Sequence, residues 1–445
     1  MNRTLLLKRT VIFLLVLTGA AGMQVKAQDK SATLHQLNTL LINTVMVDFF
    51  SPPVASRIYA YPNIAFYEII RHDDPTLSAI AHKLNGNLKL PWPPPTFVGG
   101  VKDNFIAACL SFSYVAQSLV GSEYKIEDWR KVFVDSLIKN NTDTGMIGNS
   151  MRYARQVADS MIVWIKKDNY NQSRGMPRFS ILSTVGTWQP TPEDYSQALE
   201  PHWTSIRTFT LTSPSQFSPK EKLFFSRKKK SAFYKTMMEV YQIGVKLDTN
   251  QKAIAKYWDD NPNVSVNMGH LNYFIHKISP GGHWIMITKQ ACQEKKESVT
   301  RSSLAYTLAA IAMFDGFIAC WDEKFRTNLV RPLTVINNYV DKNWQPYIQT
   351  PPFPEFTSGH AVVSNAAATV LTALFGDNYE FDDETEIPFG NNTRHFKSFY
   401  EASKESSMSR VYGGIHYPAT ARISILQGKE IGNHVLKTLY SAAIK

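Results

Sequence analysis

The chain has 445 residues, 44% of them hydrophobic, 12% aromatic and 19% charged, with 48 Lys+Arg against 37 Asp+Glu. That length buries a large core, in one big domain or two ordinary ones, and the aromatic content excludes a disordered chain. Three cysteines (Cys109, Cys292 and Cys320) without a Cys-x-x-Cys pair exclude a disulfide framework, a zinc ribbon and a thioredoxin-like motif. The formal charge of +11 leaves nucleic acid and membrane surfaces to be tested.

The first segment reads as a leader. Arg3, Lys8 and Arg9 precede an apolar run from Val11 to Gly22, and Val25-Lys26-Ala27 offers the small-x-small spacing of a signal-peptidase site. The run falls short of the roughly 18–20 residues of a spanning helix. No cysteine lies at the cleavage site to take a lipid anchor. Residues 1–27 are therefore expected to be a signal peptide, and the mature chain to be periplasmic or secreted with no stable membrane anchor. Removing the four basic residues of the leader reduces 48 to 44 against 37 acids, or +7. The basic block Arg227-Lys228-Lys229-Lys230 is expected on a solvated helix face. It lacks the interleaved aromatics of a nucleic-acid surface, so no nucleic-acid partner is expected.

From Ala32 onward the pattern is helical. Asp103–Val120, Asn149–Asp168 and Lys220–Val245 carry apolar residues at mixed three- and four-residue spacing. The breakers Pro91-Trp-Pro-Pro-Pro95, Pro190-Thr-Pro192 and Ser213-Pro-Ser215 separate them. Ser302–Lys324, Ser358–Phe375 (closed by Gly376) and Arg422–Ala443 follow, with the acidic stretch Asp377–Asn392 reading as a loop. No sustained period-two alternation is present, so no β-rich fold is expected. The expected fold is all-α, two stacked bundle-like halves at 28–250 and 251–445 in one continuous domain, with function in the inter-helix loops. GxxxxGK[ST], HExxH, GxSxG and a strand-embedded GxGxxG are all absent, so nucleotide hydrolases, zincins and α/β-hydrolases have no support.

Three other motifs stand out. Lys324 and Arg331 lie seven residues apart, near one face of a helix, and Pro332 turns Arg331 out of it. Ser358-Gly359-His360 opens an apolar helix, where free N–H groups, a hydroxyl and the helix dipole favour an anion and a histidine can move a proton. Arg410 and His416 flank Gly413-Gly414, a tight turn that lets both converge. Singly, these are also the marks of a charged helix end, a plain N-cap and a core histidine. Together they place three cations and two histidines in charge-poor sequence, a set suited to one tetrahedral oxyanion.

Lys324-x6-Arg331-Pro332, Ser358-Gly359-His360 and Ser409-Arg410-x5-His416 resemble the three-part signature shared by vanadium-dependent haloperoxidases and type 2 phosphatidic acid phosphatases. The resemblance implies the haloperoxidase fold of two four-helix bundles, with vanadate as cofactor and hydrogen peroxide and halide as substrates. His416 would ligate vanadium, or act as the nucleophile toward a small phosphoester. His360 would be the acid/base group. Lys324, Arg331, Arg410, Ser358 and Gly359 would hold the equatorial oxygens, with Lys324 polarising bound peroxide. Trp321 and Phe353 resemble aromatic positions lining the halide site of chloroperoxidase-like members, so Phe353 hints at chloride. Two residues depart from the pattern: Thr357 stands where the family has Pro, and Thr420 where it has the Asp that orients the last histidine. Asp259 or Asp260 is expected to hold Arg410. The alternatives to a haloperoxidase are a secreted acid phosphatase and a non-catalytic phosphate- or vanadate-binding protein. His202, His270, His276 and His283 are expected to serve core or surface packing.

Overall fold

The computed structural model describes residues 30–91, 102–192, 194–262, 264–268, 271–274 and 276–440. Residues 1–27, expected as a leader, most of the Pro91–Pro95 run and His270 lie outside them.

Its helices are α1 (Lys30–Val47), α2 (Pro52–Ile70), α3 (Asn104–Gln117), α4 (Glu123–Lys139), α5 (Thr144–Ile165), α6 (Tyr170–Arg174) and α7 (Ala232–Val245) in the first half. The second half adds α8 (Thr249–Tyr257), α9 (Pro280–Glu294), α10 (Val299–Thr327), α11 (Pro332–Tyr339), α12 (Gly359–Phe375), α13 (Phe399–Tyr412) and α14 (Pro418–Leu439). Two antiparallel hairpins, β1 (Ser265–Met268) with β2 (Leu271–Phe274) and β3 (Phe381–Asp383) with β4 (Arg394–Phe396), are the described β-structure apart from an isolated bridge between Thr187 and Leu329. The fold is all-α.

Asp103, the expected start of α3, is a real cap: its side chain accepts from the Ile106 N–H, and Ser298 and Ser398 likewise cap α10 and α13 by accepting from the N–H groups of Arg301 and Glu401. The basic block departs from expectation. Helix α7 begins only at Ala232, capped by Ser231, and residues 220–231 run without helix. Leu223 is buried, Phe224 is exposed and Phe225 is partly covered, the in-out alternation of an extended segment. Arg227 to Lys230 are solvent-exposed, as expected, but on a turn rather than a helix.

One core runs from Leu34 to Leu439 across both halves. Helix α10, about 43 Å long at 1.5 Å per residue, is its axis: α2 packs on one side and α12 on the other, with α3 and α5 beyond α2 and α13 and α14 beyond α12. It is long and apolar enough to cross a membrane, but its apolar window is entirely buried within the protein. Each buried Leu, Ile or Phe along it contributes about 1.5–3 kcal/mol of burial. A Cβ on Gly428 of α14 would meet the Val362 carbonyl of α12 at 2.3 Å, so these helices approach backbone to backbone only because that residue is glycine. A smaller apolar cluster joins Phe233 and Met237 of α7 to Leu333 and Ile336 of α11, and to Phe356 and Tyr417. It braces from behind the two loops that carry the site.

Candidate active site

The site lies where the C-terminal end of α10, the N-terminal ends of α11 and α12, and the turn between α13 and α14 meet. Phe317, Trp321 and Lys324 sit at i, i+4 and i+7 on α10 and share a face. Arg331 is the extended N-cap of α11, as Pro332 dictates, and Ser358 the N-cap of α12. Arg410 ends α13. Gly414 then takes φ +77°, where a Cβ would also come within 3.0 Å of Pro346, and this turn delivers His416. Lys324, Arg331 and Ser358 are completely buried, and Arg410 and His416 nearly so.

Four buried nitrogen and hydroxyl groups around this point have no protein partner, Arg331 Nη2, Ser358 Oγ, His360 Nε2 and Arg410 Nε, and a carboxylate oxygen, Asp260 Oδ2, is likewise unpartnered. Such atoms normally find one, because burying a donor unpaired costs about 1–3 kcal/mol. Their convergence is the mark of a site shaped for an oxyanion. The rest of each group is fixed. Arg331 Nε donates to the Phe353 carbonyl at 2.8 Å, and Nη1 to the Ile415 carbonyl at 2.8 Å and to His416 Nε2 at 3.2 Å. Arg410 Nη1 donates to the Trp258 carbonyl at 2.7 Å, and Nη2 lies 3.8 Å from Asp259 Oδ1. Asp259 is thus the carboxylate beside Arg410, although the closer partner is a backbone carbonyl that sequence cannot reveal.

Two groups depart from simple expectation. The Ser358 N–H is not free, since it donates to Ser424 Oγ of α14 at 2.9 Å, whereas its hydroxyl makes no cap bond and remains available. Lys324 Nζ donates to the carbonyls of Pro354, Glu355 and Thr357. All three ammonium hydrogens are therefore engaged, and Lys324 contributes charge rather than an unengaged donor. Burial pulls its pKa down to about 7, and the three carbonyls favour the charged form. Lys324 also lies 4.9 Å from the Phe353 ring and 5.7 Å from that of Trp321.

The residue missed in the sequence is Glu355. Completely buried, its Oε1 accepts from His416 Nδ1 at 2.8 Å and from the Tyr417 N–H at 3.0 Å, and its Oε2 accepts from Thr420 Oγ1 at 2.9 Å. The carboxylate absent at 420 is supplied from 355, and Thr420 has become its hydrogen-bond donor. Glu355 fixes the proton on His416 Nδ1, which leaves Nε2 the acceptor nitrogen, its lone pair engaged by Arg331 Nη1. Burial first, then Arg331 and Lys324, push His416 well below the ordinary histidine value. Burial raises Glu355 to about 7 against the pull of Arg331. The missing acid at 420 was the available signal, because a buried histidine at an oxyanion site requires a carboxylate from elsewhere.

His360 sits on the first turn of α12 at the pocket mouth, with 14% of its side chain exposed and Nε2 4.0 Å from Asp260 Oδ2. Burial and the Arg410 and His283 cations hold it well below the ordinary value. Trp321 and Phe353 form the apolar wall, their ring centroids 5.0 Å apart, and Trp321 Nε1 donates to the Leu199 carbonyl at 3.2 Å. Leu199, Phe317 and Pro351 complete that side. The other histidines divide. His202 accompanies the Pro177 carbonyl at 2.6 Å and His276 that of Met46 at 3.1 Å, both structural contacts. His283 is buried beside Asp260 and belongs to the surroundings of the site.

Residues 304–443 match the family model of the second helical-bundle domain of vanadium chloroperoxidase. No curated protein matches the chain. Among solved structures, the first bacterial vanadium-dependent iodoperoxidase is 41% identical, with a TM-score of 0.86 over 92% of this chain and 96% of that one. Holo and apo forms of a bacterial vanadium-dependent chloroperoxidase share the fold at 16% identity, with TM-scores of 0.67 and 0.66 over 88% of this chain and 93% and 94% of theirs. With that identity along nearly its whole length, and with the three motifs gathered on one pocket, the chain belongs to the vanadium-dependent haloperoxidase family.

Proposed function

We propose that this protein oxidises iodide with hydrogen peroxide at a vanadate held on His416, and that it does so after export, in the periplasm or outside the cell. The carrying observation is the set of four unpartnered buried groups, Arg331 Nη2, Ser358 Oγ, His360 Nε2 and Arg410 Nε, beside a histidine whose Nε2 is left the acceptor nitrogen. These groups fit an oxyanion: His416 would ligate it, and Arg331, Ser358, Arg410 and the start of α12 at Gly359 would hold its oxygens. The 41% identity to an iodoperoxidase supports iodide. The leader-like residues 1–27 support export.

Vanadate, when bound, activates peroxide toward a halide. The chain's own residues supply the conditions. Buried cations neutralise the oxyanion without solvent, where a charge interaction is stronger than in water. Lys324 adds positive charge at the wall where peroxide oxygen would be polarised. His360, neutral and unpartnered at Nε2, is placed to accept and return the proton of the incoming peroxide. Trp321 and Phe353 exclude water and offer aromatic edges to a large, weakly hydrated anion.

The second reading, phosphomonoester hydrolysis through His416, regains support from Glu355, which orients the histidine as the family's aspartate does. Purified mature chain should be assayed for peroxide-dependent oxidation of iodide, bromide and chloride with and without orthovanadate, and for p-nitrophenyl phosphate hydrolysis without it. Iodide oxidation that requires vanadate is expected. Hydrolysis with no vanadate-dependent oxidation would reverse the assignment, and chloride oxidation as fast as iodide oxidation would overturn the halide.

A further inference from the structure

Behind His360 lies a line of buried charge that the three motifs do not include. His283 of α9 is completely buried and stacks on Trp258, with ring centroids 4.5 Å apart and planes 17° apart. Its Nδ1 is 3.1 Å from Asp260 Oδ1 and its Nε2 2.8 Å from Asp383 Oδ2, while Glu386 Oε1 stands 3.9 Å from Nδ1. A neutral imidazole carries one N–H and can donate to only one of two carboxylates. With a carboxylate on each nitrogen, His283 is an imidazolium, and both its lone pairs are lost to any metal. Its pKa is raised well above the ordinary value by Asp260 and Asp383, against the cost of burial. Asp383 is in turn fixed by the Thr385 N–H at 3.0 Å. Asp383 and Glu386 both come from the acidic 377–392 stretch.

Only one oxygen of Asp260 is used by His283. The other, Oδ2, has no hydrogen-bond partner, is buried and faces His360 Nε2 at 4.0 Å. Asp260 also interacts electrostatically with Arg410, whose Nε is unpartnered. An unrestrained, uncompensated aspartate at this place would turn to Arg410 and quench a cation that the oxyanion needs.

We propose that His283 is a positioning residue of the oxyanion site: clamped between Asp260 and Asp383, it neutralises Asp260 and pins it away from Arg410, with its second oxygen toward His360. The clamp stands whichever reaction the site performs, and its test therefore uses anion binding as well as turnover.

Inorganic phosphate binding to vanadium-free protein, by calorimetry, and kcat and KM for iodide with vanadate are measured for two isosteres. His283→Gln places its amide nitrogen where Nε2 was and keeps only Asp383. His283→Asn places it where Nδ1 was and keeps Asp260. Phosphate affinity and kcat should fall about tenfold or more in His283→Gln, with KM for iodide unchanged, and His283→Asn should recover part of that loss at equal melting temperature. Equal losses in the two variants would show a packing role and overturn the clamp, as would no loss in either. If neither folds, Asp383→Asn decides: a fall of about threefold in phosphate affinity is expected, and none contradicts the proposal. Wild-type protein that bound no phosphate would overturn the oxyanion site itself, a failure distinct from that of the clamp.

Discussion

The pocket holds two histidines in contrasting settings. At His416 both ring nitrogens are engaged, Nδ1 by Glu355 at 2.8 Å and Nε2 by Arg331 at 3.2 Å, and the ring is nearly inaccessible. At His360, Nε2 has no partner, its nearest carboxylate oxygen is 4.0 Å away, and part of the ring meets solvent. One is built to stay, with a fixed tautomer and both nitrogens held. The other is built to exchange a proton. The same residue type serves as ligand or as acid/base according to how its carboxylate is placed: in hydrogen-bond contact at His416, and 4.0 Å away at His360, where Asp260 is held by His283.

Substitutions separate the two. His416→Ala is expected to abolish both vanadate binding and vanadate-dependent iodide oxidation, measured by equilibrium dialysis and initial rates. His360→Ala should cost about a hundredfold or more in kcat while vanadate affinity changes less than tenfold. If it loses vanadate as completely as His416→Ala does, the division of labour is wrong. The Lys324 ammonium sharpens the picture through pH. Its pKa, depressed by burial to about 7 in the anion-free protein, means that it carries charge below that pH and loses it above. Binding of sulfate, whose own charge is constant, should therefore weaken by about tenfold between pH 6 and pH 8 as the competent fraction falls. An affinity flat across that range would show that the three carbonyls keep Lys324 charged. The smallest effect belongs to Thr420→Val, which removes one hydrogen bond to Glu355. It should cost about 1 kcal/mol, or about fivefold in vanadate affinity.

Much of this was legible in the sequence. Lys324, Arg331, Ser358, Gly359, His360, Arg410 and His416 sit in short motifs whose spacing survives folding, because each motif is a helix end or a turn. The long helices were legible for the same local reason. What stayed hidden depends on residues far apart in the chain. Glu355 meets His416 across 61 positions, and His283 meets Asp260 and Asp383 across 23 and 100. No periodicity marks such pairs. The 377–392 stretch read as an acidic loop, yet Phe381–Asp383 in it form a strand and Asp383 is completely buried against the His283 imidazolium. The segment 220–231 failed in another way: its closely spaced apolar residues fit a helical pattern, whereas the chain there is extended over the cluster beneath α7 and α11.

Glu355 carries the central claim, that a carboxylate from the loop before α12 replaces the family's aspartate in holding His416. Its direct test is the titration of vanadium-free Glu355→Gln with orthovanadate beside wild type. Gln keeps the shape and one acceptor but removes the charge, and removing the partner behind a metal-ligating histidine costs about 10–100-fold in affinity. A loss in that range is the expected result. Vanadate affinity equal to wild type would mean that His416 is held by something other than Glu355.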